Sequence, residues 1–327
     1  MNKNDNAAIE QLGKKVISGN IAALARSITV IENNMPGSDE LMARVRAATT
    51  GIPVIGITGP PGAGKSTLID ALVHEIRGTD RSVGVLAVDP SSPITGGAVL
   101  GDRVRMGNHT MDQGVFIRSL SARGHLGGLS SATFDAIDLL DAAGWDIIII
   151  ETVGAGQSET EIASIADVGI VLAAPGLGDD VQAMKAGILE IADILVVNKA
   201  DRDGAENTEQ QLRAMLELRH GKGRDVQVLK TIATKPDGVD DLLNAIDNHP
   251  NLTELNKSSS RRRKRVRTVL SGLAAQLARQ TILAGSGTEL DDIFSKALDG
   301  RLSLRHAASM AVSASLKANA ADEGPTD

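Results

Sequence analysis

The chain opens with a helical rhythm. Ile9, Leu12, Val16 and Ile17 recur at the spacing that gathers apolar side chains on one helix face, and Leu41, Val45 and Ala48 repeat it after Ser38, a residue able to cap a second helix. Gly51 and Pro53 end that region, and the period then changes. Short β-branched runs at residues 53–58, 83–88, 115–117, 147–150, 168–172, 194–197 and 226–229 are separated by helical stretches such as 68–76. That alternation predicts an α/β fold: a mostly parallel sheet with helices on both faces. Residues 91–108, SSPITGGAVLGDRVRMGN, have little periodicity, and so long an irregular segment inside a compact domain predicts a functional loop that moves. Past Pro250 the chain turns polar, becomes basic from Arg261 to Arg265, and reads as helix over 266–283, 289–298 and 302–316, with a tail from Lys317 expected to fray. The organisation expected is an N-terminal helical extension (1–50), an α/β domain (51–250) and a C-terminal helical region with its tail (251–327).

Composition narrows the choices. With three Phe, one Trp and no Tyr in 327 residues, the core must be built from Ala, Val, Ile and Leu, and nucleobase stacking on aromatic platforms is nearly excluded. A net charge of −7 argues against general affinity for nucleic acid or anionic membranes. The absence of cysteine removes disulfides, thiolate metal sites and cysteine nucleophiles. The start, MNKNDNAAIEQLGKK, lacks an apolar signal core, and no apolar run approaches the ~20 residues of a membrane span. A soluble, cytoplasmic protein is expected.

Three motifs carry chemistry. Gly59-Pro60-Pro61-Gly62-Ala63-Gly64-Lys65-Ser66-Thr67 matches the phosphate-binding loop G-x-x-x-x-G-K-[ST], between an apolar strand and a helix as the motif requires. Its glycines let backbone N–H groups turn inward on phosphates, the helix N-terminus adds its positive end, Lys65 reaches the outer phosphates, and Ser66 can ligate Mg²⁺. Asn198-Lys199-Ala200-Asp201 follows a strand, at the rim where α/β sheets bind ligands. Alone it is a common surface-turn tetrapeptide. Downstream of a phosphate loop it reads as guanine recognition, because one carboxylate can accept from both the ring N–H and the exocyclic amine. Glu151 ends the apolar run Ile147 to Ile150, where P-loop enzymes place an acid beside Mg²⁺, and Gly154 and Gly156 follow with the freedom a switch loop needs. Asp89 ends a strand and Asp102 lies in the long loop; either could meet the metal directly or through water, or serve only loop solubility.

With Asp-Pro-Ser-Ser at 89–92, Gly-Gly at 96–97, Leu-Gly-Asp-Arg at 100–103, Glu-Thr-Val-Gly at 151–154 and Gly-Gln-Ser-Glu at 156–159 added to these motifs, the chain resembles the MeaB/ArgK-type P-loop G proteins. The resemblance runs from the N-terminal helices to about residue 245. It implies a P-loop NTPase fold and a homodimeric GTPase chaperone that gates cobalamin delivery to, and protects, an adenosylcobalamin-dependent acyl-CoA mutase. It implies phosphate binding by residues 59–67, guanine recognition by Asn198, Lys199 and Asp201, and Mg²⁺ contacts from Ser66, Asp89, Asp102 and Glu151. Asp102 would lie in the first switch, Gln157 near the second, and Asp179, Gln182 and Lys185 in a third that couples nucleotide state to the mutase.

Two departures stand out. Where the family's last guanine-side motif usually reads Ser-Ala, this chain has Ile232-Ala233 followed by Thr234, so a hydroxyl is missing and the Ala233 N–H is left to face the base. The C-terminal third, the dimer arm of the family, carries the Arg261–Arg265 run and lacks the aromatics expected there. With no obvious general base beside Lys65, intrinsic hydrolysis is expected to be slow, about 10⁻⁴ to 10⁻² per second as in unassisted G proteins. The rivals are a metallochaperone GTPase, a small-molecule kinase, and a nucleic-acid binder acting through residues 261–265. The first needs Cys or His ligands, and the chain has no Cys and no cluster among its six His; the second would more often take adenine, and the third is a solvated helix face on the simpler reading.

Overall fold

The computed structural model describes residues 3–89, 109, 111–121, 131–152, 165–176, 192–217, 226–253, 257–284 and 288–322. Among them are seven strands and eleven helices. The strands are β1 (Val54–Thr58), β2 (Val83–Asp89), β3 (Val115–Ser121), β4 (Ile147–Thr152), β5 (Val168–Ala173), β6 (Ile194–Asn198) and β7 (Gln227–Thr231). They form one sheet in the order β3-β2-β4-β1-β5-β6-β7, every pair parallel. This is the α/β P-loop NTPase fold expected from the sequence.

The continuous apolar runs follow from burial on both faces. Ile147 and Ile149 of β4 point into one core with Ile55, Ile57, Val83 and Ile170, and Ile148 and Ile150 into another with Val54, Leu86 and Leu120. The first core is closed by Leu68, Ile69, Leu72 and Ile76 of α4 (Lys65–Arg77) and Val239, Leu242 and Ile246 of α7 (Val239–Asp247). Covering the other face are α1 (Lys3–Ile17), α2 (Ile21–Glu32), α3 (Ser38–Arg46) and α5 (Ser131–Ala142), through Val16, Leu24, Ile28, Leu41, Val45 and Leu140. Toward β7, α6 (Ala205–Glu217) closes a smaller cluster with Ala205 and Leu212. The short α8 (Pro250–Thr253) follows α7.

The N-terminal region holds one helix more than the pattern predicted. In α2, IAALARSITVIE, β-branched residues weaken intrinsic propensity, yet Asn20 caps it by accepting from the Ala23 N–H at 2.8 Å and its apolar face is buried. Ser38 does not cap α3. Gly37 holds that position at φ 90°, and the Ser38 hydroxyl is 3.5 Å from Asn34 Oδ1. The layer meets α5 through polar contacts: Arg46 pairs with Asp135 and with Asp138 at 2.9 Å, while the Asp141 carboxylate accepts from the Thr50 and Gly51 N–H groups at 2.8 Å each.

At the opposite end of the sheet from the motif loops, an aspartate precedes each of three strands and captures an amide of the neighbouring chain segment. Asp146 accepts from Ser82 N at 2.7 Å, Asp167 from Val54 N at 2.9 Å and Asp193 from Gly169 N at 2.8 Å. Arg265 joins Asp167 at 3.3 Å and the Ile52 carbonyl at 3.2 Å, so this member of the basic run is buried and structural where a solvated face was expected.

The chain divides into two compact units, Met1–Arg265 and Val266–Asp327. α9 (Lys257–Ala284) starts earlier than expected and includes the basic run. In the second unit, Leu290 and Ile293 of α10 (Thr288–Leu298) pack on Ala307, Ala311 and Ala314 of α11 (Leu304–Asp322). α11 runs to Asp322, into the tail expected to fray from Lys317, along an Ala-rich stretch of high helix propensity; residues 323–327 lie outside the described residues.

Candidate functional site

β1 delivers the phosphate loop. At Gly59, φ is 146° and an added Cβ would stand 2.5 Å from the Leu172 carbonyl of β5, so the loop can leave the sheet here only as glycine. Gly64 caps α4 at φ 92°, and its Cβ would stand 2.5 Å from Asn198 Nδ2. Between them the chain closes with Ala63 N donating to Pro60 O at 3.2 Å. The Lys65 ammonium folds over this arch, donating to the carbonyls of Gly59 at 2.9 Å and Pro60 at 3.1 Å. Its charge is thus held at the mouth of a helix N-terminus, where phosphate oxygens are favoured.

Parallel register sets the acid beside this loop. Glu151 of β4 pairs with Ile57 of β1, and its Oε1 accepts from the Ser66 hydroxyl at 2.9 Å; both side chains are buried. Thr152 donates to Thr58 at 3.0 Å and ties the same strand ends together. A hydroxyl and a carboxylate, both hard oxygen donors at the phosphate loop, suit Mg²⁺, which prefers one or two protein oxygens plus substrate phosphates. The expected Ser66–Glu151 half of the metal site is therefore brought together. Asp89 ends β2 on this rim, two residues beyond the Ala87–Glu151 pair, but its side chain lies outside the described residues, as do Asp102, Gln157, Asp179, Gln182 and Lys185 in full.

The other side of this rim is built by β6 and β7. A cavity of about 130 Å³ is lined by Gly64, Thr67, Asn198, Lys199, Asp201, Arg202, Ile232, Ala233 and Thr234, which gathers the Asn-Lys-x-Asp motif and the 232–234 segment in one place. Asn198 is 1% exposed and its amide is spent within the protein. Nδ2 donates to the Ala63 carbonyl at 2.9 Å, while Oδ1 accepts from Thr231 Oγ1 at 3.1 Å and Ala233 N at 3.3 Å. It links the phosphate loop to β7, and the Ala233 N–H, expected to face the base, is engaged by Asn198 instead. Lys199, at φ 58°, sends its ammonium to the Gly62 carbonyl at 2.6 Å, a second tie to the loop. Asp201 is left at the rim, 39% exposed, with Lys235 as its ionic partner at 3.6 Å.

Sequence reasoning missed Thr231 and Lys235. The threonine could have been found as a hydroxyl at a strand end one residue before Ile232; nothing in the local sequence marks the lysine.

A seven-stranded parallel sheet with G-x-x-x-x-G-K-S leading from β1 into α4, Asn-Lys-x-Asp starting at the last residue of β6 and an acid on Ser66 defines a GTP-binding P-loop GTPase. Residues 24–286 match the family described as methylmalonyl Co-A mutase-associated GTPase MeaB, and the chain belongs to that family. A protein of Pyrococcus abyssi assigned as a GTPase is 45% identical over 291 residues, covering 86% of this chain and 90% of the relative. The GTPase ArgK of Escherichia coli is 37% identical over 249 residues, covering 73% and 75%. The methylmalonic aciduria type A homolog of Caenorhabditis briggsae is 39% identical, covering 61% and 52%. In three dimensions the chain is similar to a protein titled LAO/AO transport system kinase, with a TM-score of 0.71 at 26% identity, covering 95% of this chain and 97% of that one.

Proposed function

We propose that this GTPase is a slow, partner-stimulated timer: a chaperone that gates cobalamin loading of, and protects or reactivates, an adenosylcobalamin-dependent acyl-CoA mutase, methylmalonyl-CoA mutase or a relative. The observation that carries the nucleotide part is the meeting, on one sheet rim, of the Lys65 arch, the Ser66–Glu151 contact and the Asp201 pocket. The partner is supported by the family's description as mutase-associated. In this reading residues 59–67 hold the phosphates of GTP or GDP, and Asp201 takes the two guanine donors while Asn198, Lys199 and the 232–234 segment shape the pocket. Ser66 and Glu151, joined by Asp89 and Asp102, hold Mg²⁺, which when bound neutralises charge on the transferring phosphoryl group. Lys65 supplies the fixed positive charge, and Asp102 and Gln157 order water and switch.

The chain is further proposed to act as a homodimer in the cytoplasm, with 1–50 and 251–327 as helical extensions of a 51–250 G domain. Exposed Val266, Leu270, Leu273 and Leu277 on α9 support the dimer, since their four-three-four spacing makes one apolar seam of the kind paired helices bury. A metallochaperone GTPase or a small-molecule kinase is not favoured by the family match.

The experiment compares basal and mutase-stimulated GTP turnover in the wild type and in Lys185→Ala. A residue that biases a switch only in the complex changes the coupling free energy, typically about 1–3 kcal/mol, without altering the isolated site. Basal turnover should persist while stimulation falls at least about fivefold. Wild-type protein that no cobalamin-dependent mutase stimulates would overturn the partner assignment; equal loss of both rates would place Lys185 in the hydrolytic site.

A further inference from the structure

The base pocket lacks the hydroxyl that a serine at 232 would bring, and a cation stands against the carboxylate of Asp201. Lys235 Nζ lies 3.6 Å from Asp201 Oδ2. The lysine's backbone is fixed: Lys235 N donates to Ile232 O at 2.9 Å, and Ile232 N donates to Asp237 O at 2.9 Å, closing residues 232–237 into a tight loop. Gly238 seals that loop onto β7, since a Cβ there would stand 2.3 Å from the Lys230 carbonyl. The other member of the pair is tied to the same strand, Ala200 N donating to Thr231 O at 3.1 Å. The two side chains thus project from backbones that β7 holds in fixed relation.

Resting on the guanine reading of Asp201 proposed above, we infer that Lys235 is a specificity-determining positioning residue: its ammonium holds the Asp201 carboxylate so that both oxygens stay aligned for the two donors of a guanine ring. The carboxylate is more than a third exposed and could otherwise rotate about its side-chain bonds. A base offering only one donor tolerates a rotated carboxylate. A base offering two does not, so the ion pair acts on selectivity between bases more than on overall nucleotide affinity. Ile232 contributes an apolar side chain to the pocket wall, and the ionic partner of Asp201 is Lys235.

The pair is exposed, so its effect is bounded: surface ion pairs contribute up to about 1 kcal/mol, or about two- to fivefold in binding. The test measures GDP and IDP affinity in the wild type, Lys235→Ala, Lys235→Arg and Lys235→Glu, at low and high salt. IDP keeps the ring N–H and lacks the exocyclic amine. Lys235→Ala should weaken GDP about two- to fivefold and IDP less, so the GDP/IDP ratio contracts. Lys235→Arg should keep the ratio, Lys235→Glu should contract it further, and salt should erase the difference between wild type and Lys235→Ala. An unchanged ratio in both Ala and Glu variants would make Lys235 an ordinary surface charge. Tighter GDP binding in Lys235→Ala would make it a competitor of the base; either result overturns the inference. Asp201→Asn serves as the separate control: if it keeps the wild-type preference for GDP, the guanine reading itself fails, whatever Lys235 does.

Discussion

Asn198 is the best single test of how the two halves of the nucleotide site are joined. Replacing it with alanine removes the bond to the Ala63 carbonyl at 2.9 Å and strands two donors that had met Oδ1, Thr231 Oγ1 at 3.1 Å and Ala233 N at 3.3 Å. Each is worth about 1 kcal/mol net, and the site is too buried for water to replace them freely, so the total is about 3 kcal/mol. That energy divides between folding and binding. If the phosphate loop keeps its shape without nucleotide, thermal unfolding should drop by roughly 6–12 °C for a domain of this size. If the loop opens instead, the melting point holds and GDP affinity falls by about two orders of magnitude. Thermal unfolding with and without GDP, together with calorimetric titration of GDP, measures both shares. A variant that melts within about a degree of wild type and binds GDP within about twofold would show that Asn198 does not join loop and strand.

Gly64→Ala must accommodate a left-handed φ of 92° and a Cβ placed 2.5 Å from Asn198 Nδ2, whereas Gly62→Ala, at φ 79°, meets nothing within 4 Å. Both should lose the roughly 1–2 kcal/mol of a left-handed alanine, and only Gly64→Ala should lose nucleotide binding beyond that, a difference read by GDP titration of the pair. Ser66→Ala removes the hydroxyl that meets Glu151 at 2.9 Å and should depress Mg²⁺-dependent GTP turnover by more than about tenfold, with a weakened magnesium dependence of GDP binding as the second readout. Burial pushes the Asp135 carboxyl up from 3.8 to about 6, against the pull of Arg46. The folded state therefore holds that proton more tightly than the unfolded chain, so the group's stabilising contribution is present below pH 3.8 and lost as pH rises through about 6. The melting point of Asp135→Asn relative to wild type should accordingly climb between pH 4 and pH 7; a flat difference refutes the raised value.

The parts of the fold most legible in sequence were those with one cause. Ile147 to Ile150, short, β-branched throughout and followed by an acid, reads as a strand buried on both faces and is one, and Gly59 to Thr67 between strand and helix has one mechanical use. The α2 helix was not separable from its neighbours because its β-branched residues argue locally against helix, and tertiary burial overrides them. Ser38 looked like a cap on composition, but the left-handed turn at Gly37 had already started the helix. At the site, the motif identified Asn198 and Lys199 but not their work: both hold the phosphate loop's carbonyls, a relation between segments more than 130 residues apart that no local pattern encodes. Arg265 was hidden for a similar reason. A run of five basic residues looks uniform, and only the packing against Asp167 singles out its last member.

The aspartates that precede β4, β5 and β6 settle a question the core leaves open. Four consecutive isoleucines mark position only in part: sliding β4 by two residues would still return isoleucine to one of the two hollows on each face. Such a slide would carry Glu151 roughly 6.6 Å along its strand, well out of reach of the Ser66 hydroxyl. Asp146, gripping Ser82 through both its amide and its hydroxyl at 2.7 Å, supplies the missing index at the far end of the strand. The depth at which an acid stands beside the phosphate loop is therefore calibrated a full strand length away, by a residue that takes no part in the chemistry.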